Sequence, residues 1–539
     1  MSAESSQDAP AGPGVLLGAR FGPVLVSLCL LGAGWLLVRL TQFEYGLDQG
    51  IYATVADVMR EGGVPYRDAW DFKPPGIFLV YAAAKAMFGD TMAAVRWLEA
   101  LLWASLAVAF ALHARRLLGS VWPGLLGAAL ATSGHVWMGF WHTAQPESFG
   151  AVLVAWALAA TTVDPHHPRR FAADVAVAAL YACAALLKPP LGGGILVSFV
   201  FALRGGGSRR QTALAYAVGG ALPPTLTLLY FAATGALGEM AEALLVFAPE
   251  YTALNYRGGD LSGFLLRAVK VLFLRFSWLN ALGLLLLVAL PRRWPREREG
   301  ALHVALVMLV CVFGVALQGR FFAYHYGAAV PLLALLAGWG WFKLVRLGER
   351  AGVGVVATAV AFLALANANG VSGPVEGGFL QRVRSVDDGR AYNVPQRHVA
   401  DWLRANTAPD ATLHVFGFQP VLYDLADRRP ASRFVYNAAQ RAPWYSARGR
   451  DALMEDLQRT PPDALLVEKG DLHPGTGGTG FDSATTLGRF PRLGAFLERG
   501  YDAGREVGSF TVYLRREATP GPPPGRASRP GPEDPAASP

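Results

Sequence analysis

The sequence predicts a polytopic α-helical membrane protein of about 11 transmembrane helices, carrying a C-terminal extracytoplasmic α/β domain. Three observations predict it. Of 539 residues, 53% are hydrophobic and 16% charged, against about 25% charged in a soluble domain, and the mean hydropathy is +0.31. Apolar windows near the roughly 20 residues that a spanning helix needs recur along the chain. Arg and Lys gather in alternate loops between those windows. This excludes a soluble globular chain and a disordered one. Lys+Arg 48 against Asp+Glu 40 leaves +8, but as short clusters between apolar runs, which suits membrane edges and excludes a nucleic-acid binder.

Taken in order, residues 1–20 are an Ala/Gly/Pro/Ser-rich tail, and Phe21–Leu40 is apolar without a convincing cleavage site, so the window 21–41 is expected to stay as the first helix. Further windows fall at 96–114, 120–138, 147–163, 171–187, 190–204, 211–234, 264–290, 300–317, 327–343 and 351–368. The pair within 171–204 is short for two spans, so the count is open by one helix. Basic residues occupy every second loop: Arg115/Arg116, Arg169/Arg170, Arg204/Arg209/Arg210, Arg292/Arg293/Arg296/Arg298 and Lys343/Arg346/Arg350. These loops are assigned to the cytoplasm. The expectation is a multi-pass protein of the cytoplasmic (inner) membrane, N-terminus inside and C-terminal domain outside. The three cysteines, Cys29, Cys183 and Cys311, lie inside apolar runs and read as buried hydrophobes.

Within the membrane module, 21–368, two polar regions face outward on this topology. Residues 42–95 contain two helix-like stretches, Ile51–Arg60 and Ile77–Phe88, expected to lie along the interface as amphipathic helices. The loop 235–263 carries Glu239, Glu242, Glu250, Tyr251, Tyr256 and Arg257. Residues 369–516 have the composition of a soluble domain: helices at Arg397–Asn406 and Asp451–Gln458, strands at Thr412–Phe416, Ala464–Glu468 and Phe510–Leu514. Residues 517–539 read as a disordered tail.

Charges at a membrane face are costly and usually have a reason. The densest set follows the first window, in FEYGLDQGIYATVADVMREGGVPYRDAWDFKPPG, where aromatic residues alternate with acids as in a site that holds a sugar ring. Tyr52, Tyr66, Asp68 and Asp71, with Tyr326 of the later segment GRFFAYHYG, are the candidate substrate-binding residues. Pro74–Pro75 fixes the backbone that follows Lys73.

An acid just after the first window, then G-x-P-Y-x-D, then K-P-P, resembles the integral-membrane glycosyltransferases of the GT-C superfamily. The nearest in pattern are the family-39-like enzymes, which include protein O-mannosyltransferases and lipid A aminoarabinose transferases. The resemblance implies a GT-C fold and inverting transfer of a sugar from a polyprenyl-phosphate-linked donor to a lipid, glycan or protein acceptor at the outer membrane face. It implies that Asp48 is the catalytic carboxylate, taking or orienting the acceptor proton, and that Lys73 meets the donor phosphate. The frequent Asp-Glu pair is here Asp48-Gln49, which leaves Glu44 and Glu147 as candidates for a second carboxylate. Glu147, in HTAQPES, is taken as the second catalytic candidate; at a helix start it also reads as a cap on the helix dipole. Arg320 and His325 are expected to complete the phosphate clamp, and Lys188, in a second Lys-Pro-Pro, either joins it or marks a turn. Tyr423, Arg433 and Tyr436 read as structural or acceptor-facing.

There is no P-loop, no G-x-G-x-x-G after a strand, no H-E-x-x-H and no G-x-S-x-G. No cofactor is assigned, and a divalent cation beside the carboxylates stays open. The expected partners are the polyprenyl-phosphate sugar donor, membrane lipids and an acceptor of unknown kind. The alternative is a transporter or flippase of lipid-linked glycans, against which the one-sided distribution of polar residues and the lack of an internal repeat both argue.

Overall fold

A computed structural model of the chain describes residues 13–256, 259–275, 278–351 and 387–516. The apolar windows fold in the predicted order. Helix α1 (Pro13–Leu40) is followed by α2 (Leu47–Arg60), α3 (Gly76–Phe88), α4 (Met92–Leu118), α5 (Trp122–Val136), α6 (Pro146–Thr161), α7 (Arg170–Leu187) and α8 (Gly194–Arg204). After α9 (Arg209–Ala233), α10 (Leu237–Ala241) runs through a π-helical turn, Glu242–Phe247, into α11 (Ala248–Ala253). Then come α12 (Leu261–Arg275), α13 (Trp278–Ala289), α14 (Glu297–Gln318) and α15 (Ala329–Ala351). Left-handed Gly119 and Gly319 stop α4 and α14.

This is a membrane protein: α1, α4, α7, α9, α14 and α15 contain stretches long and apolar enough to cross a bilayer. Among the described residues six helices, rather than eleven, meet that measure. The window 264–290 is divided between α12 and α13. Helix α8 has 11 residues, a rise of about 17 Å, little more than half a hydrocarbon core. The window 351–368 lies outside the described residues, as do residues 1–12 and the tail 517–539.

The C-terminal domain opens with a helix, Asp387–Asn406, that starts ten residues before the expected one. The three expected strands are present as β1 (Thr412–Phe416), β3 (Ala464–Glu468) and β5 (Phe510–Leu514), joined by β2 (Arg429–Pro430) and β4 (Arg505–Val507). The order is β2-β1-β3-β5-β4, with β1 parallel to β2 and β3, and β5 antiparallel to β3 and β4. All five residues of β3 are buried, as a central strand covered on both faces requires.

The α2 part of residues 42–95 is buried, and this corrects the expectation that Ile51–Arg60 lies along the interface; α3 keeps Leu79, Met87 and Phe88 exposed. Residues Gln49–Ala56 of α2 are all buried, because α2 is packed between α3 and the C-terminal domain. Gly50 permits the approach: a Cβ there would stand 2.9 Å from the Val421 backbone nitrogen. Trp70 joins the layers. Its N–H donates to the Arg433 carbonyl at 2.7 Å, and its ring meets those of Phe247, Phe434 and Tyr436 at 4.9, 5.7 and 5.9 Å between centroids. One hydrophobic core therefore runs from the first outward region through α10–α11 into the sheet.

Candidate active site

The leading prolines of α3, the head of α6, the α7–α8 junction, α9, α10–α11 and the segment after α14 enclose a cavity of about 600 Å³. Its polar wall carries Lys73, Lys188, Arg320, Glu147, Tyr251 and Tyr324, and its apolar wall includes Leu228, Leu244 and Leu245, of which Leu228 and Leu245 are exposed.

Both Lys-Pro-Pro motifs converge here. Lys73 is held through its backbone: Tyr66 Oη donates to the Lys73 carbonyl at 2.7 Å. Tyr66 adopts φ +69° to do so, a left-handed conformation that costs a bulky residue about 1–3 kcal/mol, and it packs on Phe78 and Phe231. The Lys73 ammonium lies 4.8 Å from the Phe72 ring centre and has no ion-pair partner among the described residues. Burial works against its charge, yet Asp48 and Asp71 outweigh it and hold the Lys73 pKa above the ordinary lysine value. Lys188 pairs with Glu147 and lies 5.7 Å from the Tyr324 ring centre. Arg320 Nε donates to Asn255 Oδ1 at 2.8 Å, its guanidinium covers the Tyr251 ring at 4.4 Å, and it reaches the Gly475 carbonyl of the C-terminal domain. No carboxylate pairs with Arg320 among the described residues. Two of the three cations thus line the cavity without a direct ion pair among the described residues, although Asp48 and Asp71 act on Lys73 from a distance.

Asp48 adjoins this cavity in the first turn of α2. Gln145 Nε2 donates to its Oδ2 at 3.3 Å, and Tyr52 Oη lies 3.4 Å from Gln145 Oε1. Gln145 and Tyr52 both line the cavity. The loop before Gln145 is fastened from beneath. Glu99 accepts from the Ala144 N–H at 2.6 Å and from Ser148 Oγ at 2.6 Å. Arg96, fully buried, donates to Thr143 Oγ1 at 2.8 Å and to the Phe140 carbonyl at 3.0 Å.

The departure at position 49 has a structural reason. Gln49 Oε1 accepts the Gly46 N–H at 3.0 Å, while its Nε2 faces the carbonyls of Phe140, Trp141 and Thr143 at 3.1, 3.0 and 2.8 Å. A carboxylate has no hydrogens for those carbonyls, so an amide suits this position and a second acid does not. Glu44 is also occupied elsewhere: it binds Asn393 at 3.2 Å and Arg397 at 2.6 Å on the helix Asp387–Asn406.

Several sequence candidates take other positions. Glu147 lines the cavity, but it is 1% exposed and bound to Lys188, so it balances that lysine and is not open as a base. Asp68 lies outside the cavity lining. It accepts the Val64 N–H at 2.7 Å, and the hydrogen bonds from Arg67 hold its carboxyl below the usual range. Asp71 is 1% exposed and accepts from Tyr436 Oη at 2.8 Å; burial raises its pKa against the pull of Lys73. Tyr66 acts on Lys73 from behind the wall. Tyr326 is buried in the bundle core, and its neighbour Tyr324 lines the cavity instead. His325 lines the cavity with its pKa well below the usual value, through burial and the Lys188 charge. Its Nδ1 lies 2.9 Å from the Arg320 carbonyl, so Nδ1 carries the hydrogen and Nε2 is an acceptor. Among the described residues, no group of three or more His, Cys, Asp and Glu side chains is arranged to hold a metal ion.

The sequence reading missed Gln145, Tyr251, Asn255 and Tyr324 and undervalued Lys188. The repeated Lys-Pro-Pro was the available signal for Lys188, and an Arg96/Glu99 pair at i, i+3 inside an apolar window was the signal for the buried network.

No protein-family model and no curated protein matches the chain. Solved structures match in fold. ArnT from Cupriavidus metallidurans bound to undecaprenyl phosphate aligns over 92% of this chain and 99% of its own, with a TM-score of 0.60 at 16% identity. The apo state of the same protein covers 91% and 97%, with a TM-score of 0.59 at 14% identity. The likeness spans the bundle and the C-terminal domain together: the chain has the fold of ArnT.

Proposed function

We propose that this chain is a membrane glycosyltransferase that moves a sugar from a polyprenyl-phosphate-linked donor to an acceptor hydroxyl. The observation that carries the reading is Lys73 and Arg320, neither in a direct ion pair among the described residues, beside the Glu147–Lys188 ion pair in a cavity also lined by the apolar residues Leu228, Leu244 and Leu245. That combination suits a phosphate joined to a long hydrocarbon chain. The undecaprenyl phosphate held by ArnT, a protein of the same fold, supports it.

In this mechanism Asp48 accepts the proton of the acceptor hydroxyl. The oxygen attacks the anomeric carbon from the face opposite the phosphate, the bond from that carbon to the phosphate oxygen breaks, and the configuration inverts. The bond electrons pass to the leaving phosphate, whose growing charge Lys73 and Arg320 stabilise. Tyr52, Tyr251 and Tyr324 offer walls for the sugar. Gln145 orients Asp48, His325 orients Arg320, and Asp71 with Tyr436 holds the Lys73 segment against the C-terminal domain. In this reading the reaction face is the one away from the Arg-rich helix ends and lies on the extracytoplasmic side of the inner membrane, with the N-terminus inside; the excess of basic residues in alternate loops supports it.

The test is transfer of labelled sugar from polyprenyl-phosphate donors by the purified chain. Asp48→Asn should abolish transfer with expression unchanged. Lys73→Ala should lower it at least tenfold, since losing one preorganised charge contact costs about 3–4 kcal/mol, and Lys73→Arg should recover part. Asp48→Asn activity within about threefold of wild type, under 1 kcal/mol of barrier, would remove Asp48 as the base. Equal activity of Lys73→Ala, →Gln and →Arg at saturating and limiting donor would remove the clamp. Donor binding without transfer in every acceptor class would favour the carrier reading.

A further inference from the structure

A second concavity lies at the other end of the same helices. It encloses about 240 Å³ and is lined by Thr161, Thr162, Arg170, Arg204, Arg296 and Glu299, with Gly300 and His303 of α14 at its floor. Leu317 of α14 lines the Asp48-side cavity, and Gly300 precedes it by 17 positions on one helix, about 25 Å at 1.5 Å per residue. Helix α7 repeats the relation, with Arg170 here and Leu187 there. The two sites therefore open toward opposite leaflets.

Three arginines line this pocket against one acid, Glu299. Arg170 is committed: it pairs with Asp174 at 2.9 Å and donates to the Val163 carbonyl at 2.6 Å. Arg204 and Arg296 are exposed and pair with no carboxylate among the described residues. The pocket also receives the leading ends of α7 and α14, of 18 and 22 residues, whose dipoles favour an anion, although Glu297 and Glu299 occupy the first turn of α14. Arg204 lines, in addition, an adjoining depression with Val200 and Leu203. Val200 is 45% exposed on the flank of α8, an apolar surface continuous with the charge.

We propose that this pocket binds the phosphate of an anionic phospholipid from the leaflet opposite the Asp48 cavity, with the acyl chains along α8. Apolar surface beside the arginines selects a lipid over a free phosphate. A concave site built jointly from α6, α7, α8 and α14 separates it from the general attraction of a basic helix end, for which any exposed arginine of that face would serve equally.

The experiment titrates the delipidated full chain in detergent with phosphatidylglycerol, phosphatidylcholine or inorganic phosphate, reading retained lipid by native mass spectrometry and the thermal midpoint. One phosphatidylglycerol should bind at least tenfold tighter than phosphatidylcholine. The double variant Arg204→Gln/Arg296→Gln should lose about thirtyfold in affinity. Arg115→Gln, exposed at the same end of α4 but outside the pocket, should leave binding unchanged. Equal binding by the double variant and wild type, or an equal loss in Arg115→Gln, would overturn the pocket. Inorganic phosphate protecting at the same concentration as the lipid would overturn the lipid assignment.

Discussion

Gln49→Glu should disable a protein whose site contains no atom of residue 49. The two amide hydrogens of Gln49 serve three carbonyls, of Phe140, Trp141 and Thr143, at 2.8–3.1 Å, and the side chain is 1% exposed. An ionised glutamate would face those oxygens with none to offer, so the new carboxyl would hold its proton. Keeping it at pH 7, against an ordinary value near 4.3, costs about 3.7 kcal/mol at 1.36 per pH unit. One hydroxyl then replaces two N–H donors, at a further ~1–2 kcal/mol. The sum is about 5 kcal/mol at pH 7. The sign follows from linkage: a folded-state pKa above the unfolded one means the folded state holds more protons, so stability falls as pH rises from about 4.3. Gln49→Glu should therefore lose only about 1–2 kcal/mol near pH 4.5 and about 5 kcal/mol by pH 7. Gln49→Met, which brings no titrating group, should lose about 2–3 kcal/mol at every pH. Thermal unfolding in detergent between pH 4.5 and 8 reads both. Hydrogen exchange at residues 139–146 should rise first, and transfer should fall with it, because that loop leads to the Gln145 that meets Asp48 at 3.3 Å. A Gln49→Glu loss under about 1 kcal/mol, or one independent of pH, would refute this account.

The remaining expectations concern pairs. Lys188→Ala should cost about 3–5 kcal/mol, because it strands the buried Glu147 carboxylate, and Lys188→Met/Glu147→Gln should recover most of it; equal unfolding midpoints for the single and double variants would show no coupling. Tyr436→Phe removes the donor to Asp71 Oδ1 and should cost about 1–3 kcal/mol, read as easier proteolysis between the C-terminal domain and the bundle. Glu468 is pushed up to about 7 by burial and then Asp471. Its raised folded-state value means stability falls between about pH 4.5 and 7, so Glu468→Gln, which can still accept the Phe418 N–H seen at 2.6 Å, should stabilise the domain by about 1–3 kcal/mol at pH 8 and by little at pH 4.5. The midpoint difference between those two pH values checks it.

The sequence by itself determined the order of apolar helices, the position of the soluble domain with its three longer strands, and the run of charges that ends in Lys73-Pro74-Pro75. These depend on composition and local periodicity, which the chain carries residue by residue. It could not tell which polar residues would face each other. Asp48, Lys73, Glu147, Lys188 and Arg320 are up to 272 positions apart, and they were drawn into one neighbourhood by the packing of α2, α6, α7 and the segment after α14. The burial of α2, and with it the roles of Gln49, Asp71 and Glu44, was decided by the C-terminal domain closing over the first outward region around Trp70. A polar side chain has the same local signature whether it faces a cavity or bolts a loop. Only the tertiary structure assigns its hydrogen-bond partners, and those partners separate Lys73, left without an acid, from Glu147, which is already paired.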